Sequence, residues 1–306
     1  MASIRFARSM IYSVARVRRP HPKKYSFQQA KKKSPVVWRG FEKEAKSKQM
    51  LAKMDYNFHT HTYRCGHADG TEREYIEAAL SVGIREMGFS DHAPWIDPSL
   101  GKEREYVVPY AKVGDYMDTV RALREEYKDK ITLHVGFEAE HHPADPEELI
   151  SLGAEYLILG QHFIKAPNGQ YVHVAVSRYG DLISYYADAV VAGMRSGYYT
   201  YVAHPDVFNP VEVDPFVYQR EMVRICEASA ETGVPLEMNF LGIRQRRYYP
   251  TEAFWELAGK TGAPMTFGLD AHGPLEAKAI ESLPMALALV EKYQLNYIGK
   301  PKLVLL

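Results

Sequence analysis

Seven times between Asp55 and Tyr293 a short run rich in β-branched and aromatic residues gives way to a longer stretch of helical periodicity. The runs Asp55–His61, Ile84–His92, Ile131–Glu140, Tyr156–His162, Tyr199–His204, Pro235–Phe240 and Pro264–His272 read as strands, bounded by Gly, Pro or Asp. Between and after them, Thr71–Gly83, Val113–Tyr127, Pro146–Gly153, Tyr179–Gly197, Pro215–Gly233, Thr251–Gly262 and Leu275–Tyr293 read as helices. Gly83, Gly153, Gly233 and Gly262 sit where a left-handed residue ends a helix. Such alternation demands a parallel sheet, and seven units fit a closed or nearly closed barrel better than an open sheet. A chain of 306 residues is long enough for one such barrel or for two smaller domains.

Barrels of this kind carry their chemistry where strands end and βα loops begin. Here the first strand ends in His59-x-His61, the second in Ser90-Asp91-His92 and the third in Gly136-Phe137-Glu138. The fourth ends in Gly160-Gln161-His162, the fifth in Ala203-His204-Pro205-Asp206 and the seventh in Gly268-Leu269-Asp270-Ala271-His272. Only the sixth, Glu237-Met238-Asn239, breaks the series. Side chains two apart on a strand share a face, so His59 and His61 project together and can hold one metal ion. One His or Asp at a strand end is ordinarily a capping or loop group. Six on one rim have no reason to coincide unless they share a ligand. Imidazole with carboxylate suits zinc, iron or manganese, and the absence of clustered cysteines argues against a structural zinc knuckle.

Charge divides the chain at Met54. Residues 1–54 carry fifteen Lys or Arg against Glu42 and Glu44, leaving 23 basic and 36 acidic side chains beyond, although the net charge is zero. Residues 1–53 read as a flexible basic N-terminal arm and residues 54–306 as the barrel. The arm has three readings: a nucleic-acid tether, an Arg-rich transit peptide, or an appended extension from an upstream start, the last favoured because Met54 immediately precedes the first strand. Two cysteines, Cys65 and Cys226, make no disulfide framework, and no run of about 18 apolar residues predicts a membrane span. A cytoplasmic protein without membrane contact is expected.

The ordered motifs His59-Thr60-His61-Thr62, Cys65-x-His67, Ser90-Asp91-His92-Ala93-Pro94, Gly136-Phe137-Glu138, Gly160-Gln161-His162-Phe163, Ala203-His204-Pro205-Asp206, Asn239 with Gly242-Ile243-Arg244, and Gly268-Leu269-Asp270-Ala271-His272 resemble the polymerase and histidinol phosphatase (PHP) superfamily. The similarity spans residues 54–306 and is greatest to the histidinol-phosphatase branch. It implies a distorted (β/α)7 TIM-like barrel holding three divalent ions, zinc, manganese or iron. By that resemblance one ion takes His59, His61, Glu138 and Asp270; a second shares Glu138 and adds His162 and His204; the third takes His67, His92 and His272.

Three divalent ions facing a phosphate monoester can neutralise and orient the dianion and lower the pKa of a bridging water. The implied enzyme is a metal-dependent phosphomonoesterase, a hydrolase of L-histidinol phosphate in histidine biosynthesis, and its partner is a small phosphate ester. Glu138, Asp270, Asp91 and Asp206 are the catalytic candidates, the last two as orienters of neighbouring imidazoles or as a proton donor. Arg244, Asn239 and Arg178 are the substrate-binding candidates, since guanidinium forks match phosphate oxygens. Glu140 would share the face of Glu138 if its strand continued, but the resemblance selects Glu138. Alternatives are a PHP phosphoesterase acting on another small ester or a nucleotide, a metal-dependent amidohydrolase, and a nucleic-acid-binding protein using the arm.

Overall fold

The computed structural model describes residues 54–176 and 180–306; the basic arm of residues 1–53 and Arg178 lie outside them. Each expected strand forms, shorter than the apolar run that encodes it. The strands are β1 (Tyr56–Asn57), β2 (Glu86–His92), β3 (Thr132–Ala139), β4 (Leu157–Leu159), β5 (Tyr199–Val202), β6 (Leu236–Asn239) and β7 (Pro264–Gly268). An eighth, β8 (Asn296–Tyr297), adds to β7. All eight pair in parallel with their neighbours in chain order. Beyond β1 the chain also reaches β7's end: Thr60 bridges Ala271, and the His61 amide donates to the Ala271 carbonyl at 2.9 Å.

The helices follow their sequence signals. Thr71 caps α1 (Glu72–Ser81) in a reciprocal capping box with Glu74, and Asp145 caps α3 (Pro146–Ser151), after α2 (Tyr110–Tyr127). The chain continues through α4 (Ile183–Ser196), α5 (Pro215–Thr232), α6 (Phe240–Arg244), α7 (Glu252–Thr261) and α8 (Leu283–Tyr293). Gly83, Gly153, Gly233 and Gly262 all take positive φ, as their places after helices require. The long helix expected over Leu275–Tyr293 is instead two 3-10 turns, Glu276–Lys278 and Ile280–Ser282, before α8. Pro284 explains the late start, because proline is tolerated only in a helix's first turn. Two antiparallel hairpins also interrupt the pattern, Ile96–Asp97 with Lys102–Glu103 and Phe163–Lys165 with Tyr171–His173.

Burial alternates along the strands. In β3 and β4, Phe137, Ala139, Leu157 and Leu159 join the large core under the helices. Ile158 turns the other way, into a smaller cluster with Tyr56, Phe58, Tyr156, Tyr201 and Ala203. Glu138, in register with Ile158, therefore stands on the face turned away from the helices. A carboxylate there must find counter-charges, and the strand ends supply them.

Candidate metal centre

The nine ligand candidates converge on one rim. Glu138 lies at its middle, nearly sealed from solvent, and its two oxygens face different neighbours. Its Oε2 lies 3.3 Å from His59 Nε2 and 3.5 Å from His61 Nε2. Asp270 Oδ1 completes that group at 3.6 Å and 3.2 Å from the same two nitrogens. Glu138 Oε1 instead lies 2.9 Å from His204 Nε2 and 3.5 Å from His162 Nε2, with 3.3 Å between the two imidazole nitrogens. At the outer side, the Nε2 atoms of His67 and His272 approach to 3.0 Å, and the His67 and His92 rings stack at 5.1 Å.

These spacings suit a cation. Four donors around zinc at about 2.0–2.1 Å stand about 3.3–3.4 Å apart, close to the separations around Glu138 Oε2 and Asp270 Oδ1. Several of these atoms, His59 Nε2, His61 Nε2, both Glu138 oxygens and Asp270 Oδ1, are buried without a hydrogen bond. Unpaired buried polar atoms are costly. Five on one rim, all capable ligands, fit a metal centre better than any protein-only arrangement.

Outer contacts aim the imidazoles inward. His59 Nδ1 lies 2.7 Å from Glu237 Oε1, His162 Nδ1 lies 3.1 Å from Glu140 Oε1, and His272 Nδ1 lies 3.2 Å from the Asp270 carbonyl. Asp91 stands 3.5 Å from His61 Nδ1 and accepts from the Thr62 amide at 3.1 Å. Such partners fix which ring nitrogen is free to ligate. His204 and Asp270 achieve their aim with left-handed backbones, at φ 29° and 49°, a conformation that side-chain-bearing residues rarely hold outside functional sites.

Electrostatics hold the rim's carboxylates ionised and divide its imidazoles. Burial would raise the Glu138 carboxyl, but His162, His59 and His92 hold it well below the usual range. Asp270 is likewise penalised by burial yet held low by His59 and His272. Burial, with His61 and His67 among the crowding imidazoles, pushes His92 and His272 well down. For His59, burial is outweighed by Glu237, Asp270 and Glu138, and the ring is raised well above its ordinary value. The ionised carboxylates and the rings of His92 and His272 are in the state a divalent ion needs, whereas at His59 an ion would have to displace a proton.

Two further carboxylates support the rim, Glu237, which a reading by strand ends passes over, and Glu140. Glu237 is fully buried, faces His59, and accepts from the His204 amide at 2.9 Å and from Asn239 Nδ2 at 3.0 Å. Glu237 and Asn239 repeat the i, i+2 spacing of His59 and His61, which is the signal that could have exposed the sixth strand. Glu140 shares the face of Glu138 and accepts from the amides of His162 and Phe163 at 2.9 Å and 3.0 Å.

Other candidates have nearer duties. Asn239 donates to Asp270 Oδ2 at 3.0 Å, so it steadies a ligand candidate. Arg244 Nη1 donates to the Leu269 carbonyl at 2.9 Å, and its Nη2 lies 3.4 Å from Glu276. Asp206 accepts from the Thr251 amide at the start of α7, and burial raises its carboxyl to about 7. Cys65 is buried, donates to the Thr62 carbonyl at 3.0 Å, and has its thiol raised by burial.

Residues 57–239 match the family model described as the PHP domain. The probable histidinol-phosphatase of Deinococcus radiodurans is 30% identical over 234 residues, covering 71% of this chain and 86% of that protein. The probable histidinol-phosphatase of Schizosaccharomyces pombe is 24% identical over 255 residues, covering 72% and 81%. In fold, the chain is similar to histidinol phosphate phosphatase from Lactococcus lactis, crystallised with zinc, L-histidinol and phosphate. That likeness has a TM-score of 0.60 at 17% identity and covers 81% of this chain and 99% of that one. With more than half its length matched by the domain, and a relative 30% identical across 71% of the chain, this chain belongs to the PHP family.

Proposed function

We propose that the rim is a three-ion centre of zinc, manganese or iron and that the protein hydrolyses L-histidinol phosphate to L-histidinol and phosphate. The observation that carries this reading is the split of Glu138, whose Oε2 faces His59, His61 and His92 while Oε1 faces His162 and His204. One carboxylate serving two donor sets belongs to a bridged centre. His59, His61, Glu138 and Asp270 would hold one ion; Glu138, His162 and His204 a second; His67, His92 and His272 a third. When bound, such ions neutralise phosphate oxygens, orient the ester and acidify water.

The chain's own residues supply orientation. Glu237, Glu140 and Asp91 hold imidazoles in the tautomer that leaves the inward nitrogen free. Asn239 keeps Asp270 in place, and Arg244 brings guanidinium charge to the same side as a contact for phosphate. The sheet reads as a distorted (β/α)7 barrel whose seam is the Thr60–Ala271 pairing, with β8 as an outer addition. Among the described residues no helix is long and apolar enough to cross a membrane, in keeping with a small, dissolved substrate.

The test is phosphate release from L-histidinol phosphate against a panel of sugar phosphates, nucleotides and aryl phosphates, with added Zn, Mn or Fe. The expected result is a kcat/KM for L-histidinol phosphate at least about a hundredfold above every other ester, the size of discrimination that a few lost polar contacts produce. A flat profile, or a nucleotide at the top, overturns the substrate.

A further inference from the structure

The two hairpins beside the rim are fastened by one cation. The first, Ile96–Asp97 with Lys102–Glu103, follows shortly after His92; the second, Phe163–Lys165 with Tyr171–His173, begins directly after His162. Arg104 leaves the first hairpin with Nη2 2.6 Å from Asp97 Oδ2 and donates across the gap to the Tyr171 carbonyl at 3.1 Å. Its guanidinium carbon lies 4.6 Å from the Phe163 ring centre and 5.4 Å from that of Trp95. Trp95 in turn packs at 5.5 Å on both Phe163 and Tyr171.

The same segment grips the rim through its backbone. The Val108 amide donates to the His92 carbonyl at 3.0 Å. Between the two, Tyr106 adopts a left-handed φ of 66° and sets its ring edge-on to His67 at 5.3 Å. His92 and His162, the residues on which the two hairpins hang, face each other with ring centres 5.1 Å apart across the Glu138 carboxylate. An apolar plug could hold two hairpins together equally well. A guanidinium differs in that its planar fork fixes direction, and a Lys cannot reproduce that fork.

We infer that Arg104 is a positioning residue of the metal centre, setting the separation between His92 and His162 by locking together the loops that carry them. The inference rests on the reading of the rim as a metal centre and is independent of which ester is hydrolysed. Because His92 and His162 are assigned to different ions, slack between the hairpins changes the spacing of the ions and leaves each coordination set of side chains intact.

The experiment uses the full-length chain, stripped of metal and titrated with Co2+, with Arg104→Ala and Arg104→Lys beside wild type. Binding is followed by visible absorption and stoichiometry, and folding by circular dichroism and thermal unfolding of the metal-free forms. For Arg104→Ala the expected result is at least tenfold weaker uptake of the last ion and an altered Co2+ spectrum, with folded content unchanged. Arg104→Lys keeps the charge beside Asp97 but loses the fork, and falls between the two. A Co2+ titration and spectrum equal to wild type in the folded fraction of either variant overturns the proposal, whatever happens to Tm. If Arg104→Ala does not fold, Arg104→Lys alone decides by the same readout. Failure of the substrate assignment shows instead as a flat ester profile in wild type with its Co2+ titration untouched.

Discussion

Glu237 Oε1 lies 2.7 Å from His59 Nδ1, and neither side chain has any contact with solvent. The other oxygen of Glu237 accepts from the His204 amide and from Asn239, so one carboxylate on β6 braces three members of the rim. In Glu237→Gln an amide N–H must confront one of these donors, leaving a buried group unpaired. We expect a stability loss of about 1–3 kcal/mol and metal affinity weakened about 10–100-fold. Urea unfolding and metal titration of the variant measure both; affinity equal to wild type would refute the bracing role.

Glycine at position 160 has a steric reason. A Cβ there would stand 2.1 Å from Glu138 Oε1, whereas a Cβ at Gly114, on the exposed side of α2, meets nothing within 4 Å. Gly160→Ala is expected to abolish metal retention and phosphate release. Gly114→Ala should leave both unchanged and stabilise the fold by about 0.5–1 kcal/mol through helix propensity. Side-by-side activity, metal analysis and melting curves test the pair, and an active, metal-replete Gly160→Ala protein would remove Glu138 from the centre.

Substituting Glu138 itself separates its shape from its charge. Glu138→Gln keeps the volume but offers only one acceptor oxygen to two donor sets. Reduced metal content and loss of phosphate release by at least about a thousandfold are expected, a barrier change of about 4 kcal/mol. Chelation of wild type should reproduce the loss, lower Tm, and be reversed by added divalent metal. Full turnover in Glu138→Gln contradicts the bridge.

Asp97 gives the fold an acid limit. Burial works against its ionisation, but Ser99's hydroxyl and amide and the Arg104 guanidinium hold its carboxyl below the usual range. A carboxyl with a depressed folded-state pKa contributes stability that is complete above its unfolded value of about 3.9 and is lost as pH falls through the folded value. Wild type should therefore lose urea resistance below about pH 4. Asp97→Asn should be less stable at neutral pH and show a shallower loss on acidification. Parallel acid limbs in the two proteins would show that Asp97 contributes no such term.

The sheet was legible because seven β-rich runs alternate with helices capped by Thr71, Asp145, Thr251 and the left-handed glycines. Its details were less so. Several strands stop short of their sequence runs because the last residues leave the ladder: the His162 and His204 amides donate to the carboxylates of Glu140 and Glu237 instead of to a neighbouring strand. The segment Asn296–Tyr297 is too short and polar to signal a strand, and it forms one only because β7 offers an open edge. The hairpins at Ile96 and Phe163 are held by Arg104 and aromatic packing, contacts invisible to local periodicity. In the rim, candidates at strand ends were legible from spacing, while Glu237 was hidden because it lies inside β6, two places before the strand's end. Asn239 and Arg244 show the converse: their motifs marked them, but their nearest partners are Asp270 and its neighbours in the chain.

If Glu138 bridges two ions as proposed, its divided carboxylate would also link the two positions thermodynamically. Occupancy of the Oε2 side would change the charge and orientation of the oxygen that the other side must use, so neither affinity would be a property of one position alone. Linkage makes this effect reciprocal: the factor by which the first ion alters the second equals the factor by which the second alters the first. Such a centre would load as a coupled pair, and a titration described by two independent sites would misstate both constants.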